Sequence, residues 1–181
     1  MITYDLLLPA VYHLQRTGFI NSIKVCALDS APLKALKNSK EILEAFPGLH
    51  FIEPPSYDIR YPIKGKNLVF SIIKQLPRLN TLIQKEHEWL KVAIAEYGFD
   101  LIISDNRYGF YTAGVPSVII THQLSPLTGM GSFIDKLVRK AHYRYLDKFD
   151  ECWVPDQRNN GGLAGTLSHP VILPARVKYI G

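Results

Sequence analysis

Two unbroken apolar runs, LIIS at residues 101–104 and SVIIT at residues 117–121, are short and β-branched, so they predict strands buried on both faces. Around them the hydrophobic period changes. Leu6, Leu7, Ala10, Val11 and Leu14 recur at helical spacing over residues 3–15, with Pro9 tolerable in a first turn and Thr17-Gly18 as a stop. IKVCAL at 23–28 predicts another buried strand, and Ser30 with Pro32 starts a helix that runs to Phe46 and ends at Pro47-Gly48. LHFIE at 49–53 is a further short strand, after which Pro54-Pro55 and the loop YDIRYPIKG at 57–65 forbid regular structure. From 67 to 97, apolar residues such as Leu76, Leu79, Ile83 and Leu90 fall mostly three or four apart, predicting a long helix that Pro77 should kink or split. An amphipathic helix over 132–148, a strand at ECWVP (151–155) and a last apolar segment over 170–180 complete the series.

Strands alternating with helices at this spacing predict parallel β-α-β units, hence an α/β fold with a Rossmann-like, doubly wound parallel sheet in a single domain, 1–181. Such a sheet normally opens with a strand. This chain opens with a helix, so the sheet is expected to be incomplete at its amino-terminal strand.

Composition fits that picture: of 181 residues, 47% are hydrophobic and 20% charged, the balance of a folded globular chain rather than a disordered one. No apolar run approaches the roughly 18 to 20 residues of a membrane span, and no secretory leader is visible, so a cytoplasmic location is expected. Cys26 and Cys152 sit in apolar runs without CxxC or Cys/His spacing and read as buried thiols, not as a zinc site or disulfide. A formal charge of +5 permits attraction to anions, but the basic residues are scattered, which predicts a solvated basic surface and no nucleic-acid partner.

Chemistry concentrates at the ends of the two central strands. In an open parallel sheet, ligands bind beyond the carboxyl ends of the strands, and there the sequence places Ser104, Asp105, Asn106, Arg107 and Tyr108 after one strand and Thr121, His122 and Gln123 after the other. Asp105 or His122 has the chemistry of a general base toward a hydroxyl, Arg107 offers a forked cation for phosphate or carboxylate, and Tyr108 a flat face for a sugar ring. The plainer alternative is that Asp105 or Asn106 caps a following helix and His122 makes a routine loop hydrogen bond. Standard local motifs are missing: there is no GxGxxG, GxxxxGK[ST], HExxH or GxSxG, and GGLAG at 161–165 is too sparse for a phosphate loop.

Several stretches together carry a resemblance: FPGLHFIEPPSYDIRYP, DLIISDNRYGFY followed by VPSVIITHQL, then ECWVPD, LAGTLSHP and KYIG. Over residues 46–181 the chain resembles the amino-terminal half of bacterial glycosyltransferases of the GT-B architecture, the group that includes the peptidoglycan N-acetylglucosaminyltransferase. That resemblance implies an amino-terminal domain binding a sugar or lipid-linked acceptor, and a second domain, absent here, holding a nucleotide-sugar donor. It implies catalytic roles for Asp105 or His122, acceptor contacts by the surrounding polar residues, no cofactor in this chain, and activity only with a donor-domain partner protein. A lipid-linked acceptor would bring peripheral membrane contact through basic residues and the 57–66 loop. The family's glycine-rich turn with an adjacent histidine has no counterpart here. Residues 3–37 instead resemble the early Rossmann segment of NAD-dependent oxidoreductases related to glucose-fructose oxidoreductase and inositol dehydrogenase, in which Asp29 would approach the adenosine ribose. An NAD-dependent oxidoreductase fragment and a non-catalytic partner subunit are thus the rival expectations.

Overall fold

The computed structural model describes residues 8–19, 23–26, 44, 50–52, 68–159 and 162–181. The chain divides into two compact units, Met1–Ile59 and Arg60–Gly181.

In the first unit, α1 (Leu8–Arg16) ends where the sequence places its stop. Gly18 takes φ 79°, its N–H donates to Gln15 O, and the Phe19 N–H reaches back to Leu14 O, both at 3.0 Å. This left-handed glycine and its paired bonds satisfy carbonyls that the helix end would leave open. β1 (Lys24–Cys26) and β2 (His50–Ile52) pair in parallel, with Lys24 opposite His50 and Cys26 opposite Ile52. Of the helix expected over 30–46 only Glu44 is described, and it is helical. The loop expected at 57–65, Asp29 and the side chain of Cys26 lie outside the described residues.

The second unit begins with α2 (Leu68–Tyr97), followed by β3 (Ile102–Asp105), β4 (Ser117–Ile120), α3 (Ser132–Leu146), β5 (Glu151–Val154) and β6 (Val177–Tyr179). The four strands form one all-parallel sheet in the order β3-β4-β5-β6. The fold is α/β, with the parallel sheet that the alternation of periods predicts. The structure sharpens three expectations. Of the kink or split expected at Pro77, the split does not occur: α2 is one helix through that position. β4 is buried at every position, but in β3 Ile102 and Ser104 are buried, Ile103 is half-buried and Asp105 is exposed; β3 stands at one end of the four described strands, with a described neighbour on one side only. In the last apolar segment only Val177–Tyr179 is strand, and Val171, Ile172 and Leu173 are exposed loop.

The core of this unit gathers Ile119, Leu124, Leu146, Phe149, Cys152 and Val154, with Tyr108, Tyr111, Tyr143, Val177 and Tyr179 packed against it. Burial pushes the Cys152 thiol up to about 12, the state of an inert packing group and in line with the sequence reading. Asp150 ties the starts of β4 and β5 together: its N–H donates to Ser117 O and its carboxylate accepts the Ser117 N–H, both at 2.8 Å. Among the described residues no helix is long and apolar enough to cross a membrane.

Candidate functional site at the carboxyl edge of the sheet

The register of β3 against β4 places Asp105 opposite Ile120, so the two polar clusters of the sequence leave neighbouring strands at the same edge. The ladder runs slightly past the strands: the Asn106 N–H donates to Ile120 O at 3.1 Å, and the Thr121 N–H to Trp153 O at 3.0 Å. Asn106 takes φ 55°, a left-handed conformation that asparagine tolerates better than most side chains. Its Nδ2 donates to Asp105 Oδ1 at 3.1 Å, and both residues are exposed.

The eight residues expected at this site divide by environment. Asp105, Asn106 and Gln123 are exposed; Arg107, Tyr108 and His122 are half-buried; Ser104 and Thr121 are buried. The two buried hydroxyls are engaged in the turns themselves. Ser104 Oγ donates to Arg107 O at 2.7 Å and accepts the Arg107 N–H at 3.2 Å, while Thr121 Oγ1 accepts the Gln123 N–H at 3.1 Å. They set the shape from which the exposed groups project. Tyr108 packs edge-on to His142 of α3, ring centroids 5.5 Å apart, and lies 5.7 Å from Tyr145. Burial pushes the His142 imidazole below its ordinary pKa, against a hydrogen bond with the Gln123 backbone.

Behind the β3 turn stands a residue that sequence reasoning missed. Glu86 of α2 is almost fully buried; its Oε1 pairs with Arg107 Nε and its Oε2 accepts the Gly109 N–H at 3.0 Å. Desolvation raises its pKa, with the Arg107 hydrogen bond and charge and the Gly109 N–H acting in the opposite direction. The turn approaches the helix so closely that a Cβ on Gly109 would lie 2.3 Å from Glu86 Cβ. The Arg107 guanidinium also lies 4.7 Å from the Phe110 ring centroid. A signal was present in the sequence: Glu86 is in helical phase with Ile83, Leu90 and Ala93, a carboxylate within an apolar stripe.

A second missed carboxylate organises the loop after β5. Asp156 Oδ1 accepts the N–H groups of Gln157 and Leu163 at 2.9 and 2.7 Å, and Oδ2 accepts the Ala164 N–H at 3.1 Å and the Ser168 hydroxyl at 2.5 Å. The Ser168 hydroxyl and then these backbone donors hold the Asp156 carboxyl well below the usual carboxylate range. Gly162 passes it at φ 56°, where a Cβ would sit 2.2 Å from Oδ1. The glycine-rich segment is therefore a nest of N–H groups, as in a phosphate loop, but the anion it holds is the protein's own. His169 closes the loop, with Nδ1 2.8 Å from Ser168 Oγ, Nε2 3.0 Å from Gln157 O, and its ring stacked on Tyr179 at 5.0 Å. Asp156, Ser168 and His169 do not form a nucleophilic triad. Ser168 is fully buried and its hydroxyl is directed at Asp156.

Among the described residues no group of three or more His, Cys, Asp or Glu side chains is arranged to hold a metal ion. Comparison of the chain with protein-family models, with curated proteins and with solved structures gives no match.

Proposed function

We propose that the unit Arg60–Gly181 is a glycosyltransferase-like acceptor-binding domain, taking a sugar or lipid-linked acceptor at the polar ends of β3 and β4. The observation that carries this reading is the adjacency of the two clusters at the carboxyl edge of a parallel sheet, where ligands of open α/β sheets bind. Exposed Asp105, Asn106 and Gln123 supply hydrogen bonds for hydroxyl groups, and Tyr108 a ring against which a sugar face can pack. In the transfer step the acceptor oxygen bonds to the anomeric carbon, the bond from that carbon to the nucleotide diphosphate breaks, and the hydroxyl proton passes to Asp105 or His122. The diphosphate leaves with the donor-binding domain that this reading requires as a partner.

Saturation-transfer NMR of the 181-residue chain against a panel of mono- and disaccharides, with NAD as a parallel ligand, tests the proposal. The expected result is contact with at least one saccharide that weakens about tenfold or more in Tyr108→Ala and His122→Ala, in keeping with the loss of a stacking or hydrogen-bonding partner. Saturation of NAD with no saccharide contact, or saccharide contact unchanged in both variants, would overturn it.

A further inference from the structure

One side chain of α3 touches both halves of the proposed site. His142 meets the Tyr108 ring of the β3 turn edge-on, with ring centroids 5.5 Å apart, and the same imidazole makes the hydrogen bond with the Gln123 backbone of the β4 turn. Its Nε2 is closed off from solvent and has no hydrogen-bond partner among the described residues, which leaves Nδ1 as the nitrogen bonded to Gln123. That bond favours the protonated ring, so its acceptor is the Gln123 carbonyl and Nδ1 carries the hydrogen. The neutral imidazole is thereby held in one tautomer, with an enclosed lone pair on Nε2. Its other ring neighbour is Tyr143 of α3, with centroids 6.1 Å apart, and phenols carry no charge near neutral pH. The charged or titratable groups nearest in the chain to these contacts are Asp105 and Arg107 on the β3 turn, His122 on the β4 turn and Arg139 one helical turn away. None of them shifts the ionisation of the ring.

We propose that His142 is the positioning residue of this site: neutral, it holds the Tyr108 ring and the Gln123 turn together as one acceptor-binding surface, and protonated, it releases them. The proposal rests on the reading of the strand ends as a saccharide site. Its physical basis is the enclosed nitrogen. A proton taken from solvent onto Nε2 puts an N–H and a positive charge where, among the described residues, neither an acceptor nor a counter-ion stands, and a buried polar group left in that state is costly. The ring must leave its place to be hydrated, and the Gln123 bond and the Tyr108 contact leave with it. Burial lowers the pKa of the ring, the direction that such an enclosure requires. The acceptor surface therefore belongs to the neutral imidazole and is lost as pH falls through the depressed value.

NMR titration of the full 181-residue chain from about pH 8 to about pH 5, following the His142 ring, the Tyr108 ring and the Gln123 amide, tests it. The three are expected to share one midpoint below the ordinary imidazole value of about 6.5. The step should vanish from Tyr108 and Gln123 in His142→Asn and His142→Phe, both of which keep His122. Asparagine retains a donor near the Nδ1 position, whereas phenylalanine retains only a ring. Contact with the saccharide found by saturation transfer should weaken about threefold to tenfold in His142→Phe, the range for one lost hydrogen bond, and recover in His142→Asn, with the acid-side loss absent from both. Different midpoints at Tyr108 and Gln123, a step that persists in His142→Asn, or saccharide contact unchanged in His142→Phe would each overturn the proposal. If no saccharide binds the wild-type chain at any pH, the reading of the strand ends fails, and the shared titration alone then upholds or overturns the coupling through His142.

Discussion

Glu86 reaches the turn after β3 from a distant helix, whereas Asp156 follows directly on the end of β5 and serves the loop after it. Both carboxylates are almost sealed from water, and both fix a turn at the same sheet edge. Their acidities nevertheless move in opposite directions. Glu86 has a cation and one backbone N–H, and desolvation still outweighs them; Asp156 makes no ion pair with a lysine or arginine among the described residues, yet its four donors outweigh desolvation. The lesson is that several short, well-aimed neutral donors can hold a carboxylate charged more firmly than one ion pair inside a packed interface.

The comparison breaks most visibly at Glu86 itself. Glu86→Ala leaves both Arg107 and the Gly109 N–H without that carboxylate, and should cost about 3 to 5 kcal/mol in urea unfolding, the usual range for removing one partner of a buried pair. A loss under about 1 kcal/mol would mean the pair contributes nothing to the turn. Next in size is Gly109→Ala, whose new Cβ meets Glu86 Cβ and the Ile83 carbonyl oxygen, at 2.3 and 2.6 Å. Overpacking of this kind should cost about 1 to 3 kcal/mol. Gly162→Ala is its counterpart at Asp156, with a left-handed backbone added to the steric conflict. Its effect should be local, with faster hydrogen exchange at Leu163 and Ala164 and little change at Gly109; exchange accelerated equally in both turns would mean that they are not independent.

The smallest effect is the pH dependence. Because the folded pKa of Glu86 is raised, its contribution to stability is present below about pH 4.3, the unfolded value, and is lost as pH rises through the folded one. Asp156 has the opposite sign: its contribution is present above about pH 3.9 and is lost as pH falls through the depressed folded value. Glu86→Gln should therefore flatten the decline of stability on the alkaline side of pH 4.3 while leaving the acid-side loss in place. Denaturant midpoints measured across that range would show it, and an unchanged alkaline-side slope would count against the assignment.

The sequence reveals the framework of the second unit more clearly than its braces. Period and β-branching locate β3, β4, β5 and α3 to within a few residues, because each strand is a short apolar run and the helix has one apolar face. The polar strand ends were legible for the same reason, being the points where those runs stop. Glu86 and Asp156 were not, since their roles depend on contacts at a distance: Glu86 meets partners 21 and 23 residues away, and Asp156 closes on Ser168 across 12. Only the phase of Glu86 within an apolar stripe hinted at burial. Whether α2 would bend or break at Pro77 was left open in the sequence, because a local rule for proline says nothing of the helix on either side of it.

Carboxyl carbon NMR titration of Glu86 and Asp156 in the intact chain tests the contrast most directly. The account predicts a Glu86 midpoint above the ordinary glutamate value and an Asp156 midpoint below the ordinary aspartate value. Midpoints displaced in the same direction, or both at their ordinary values, would contradict it.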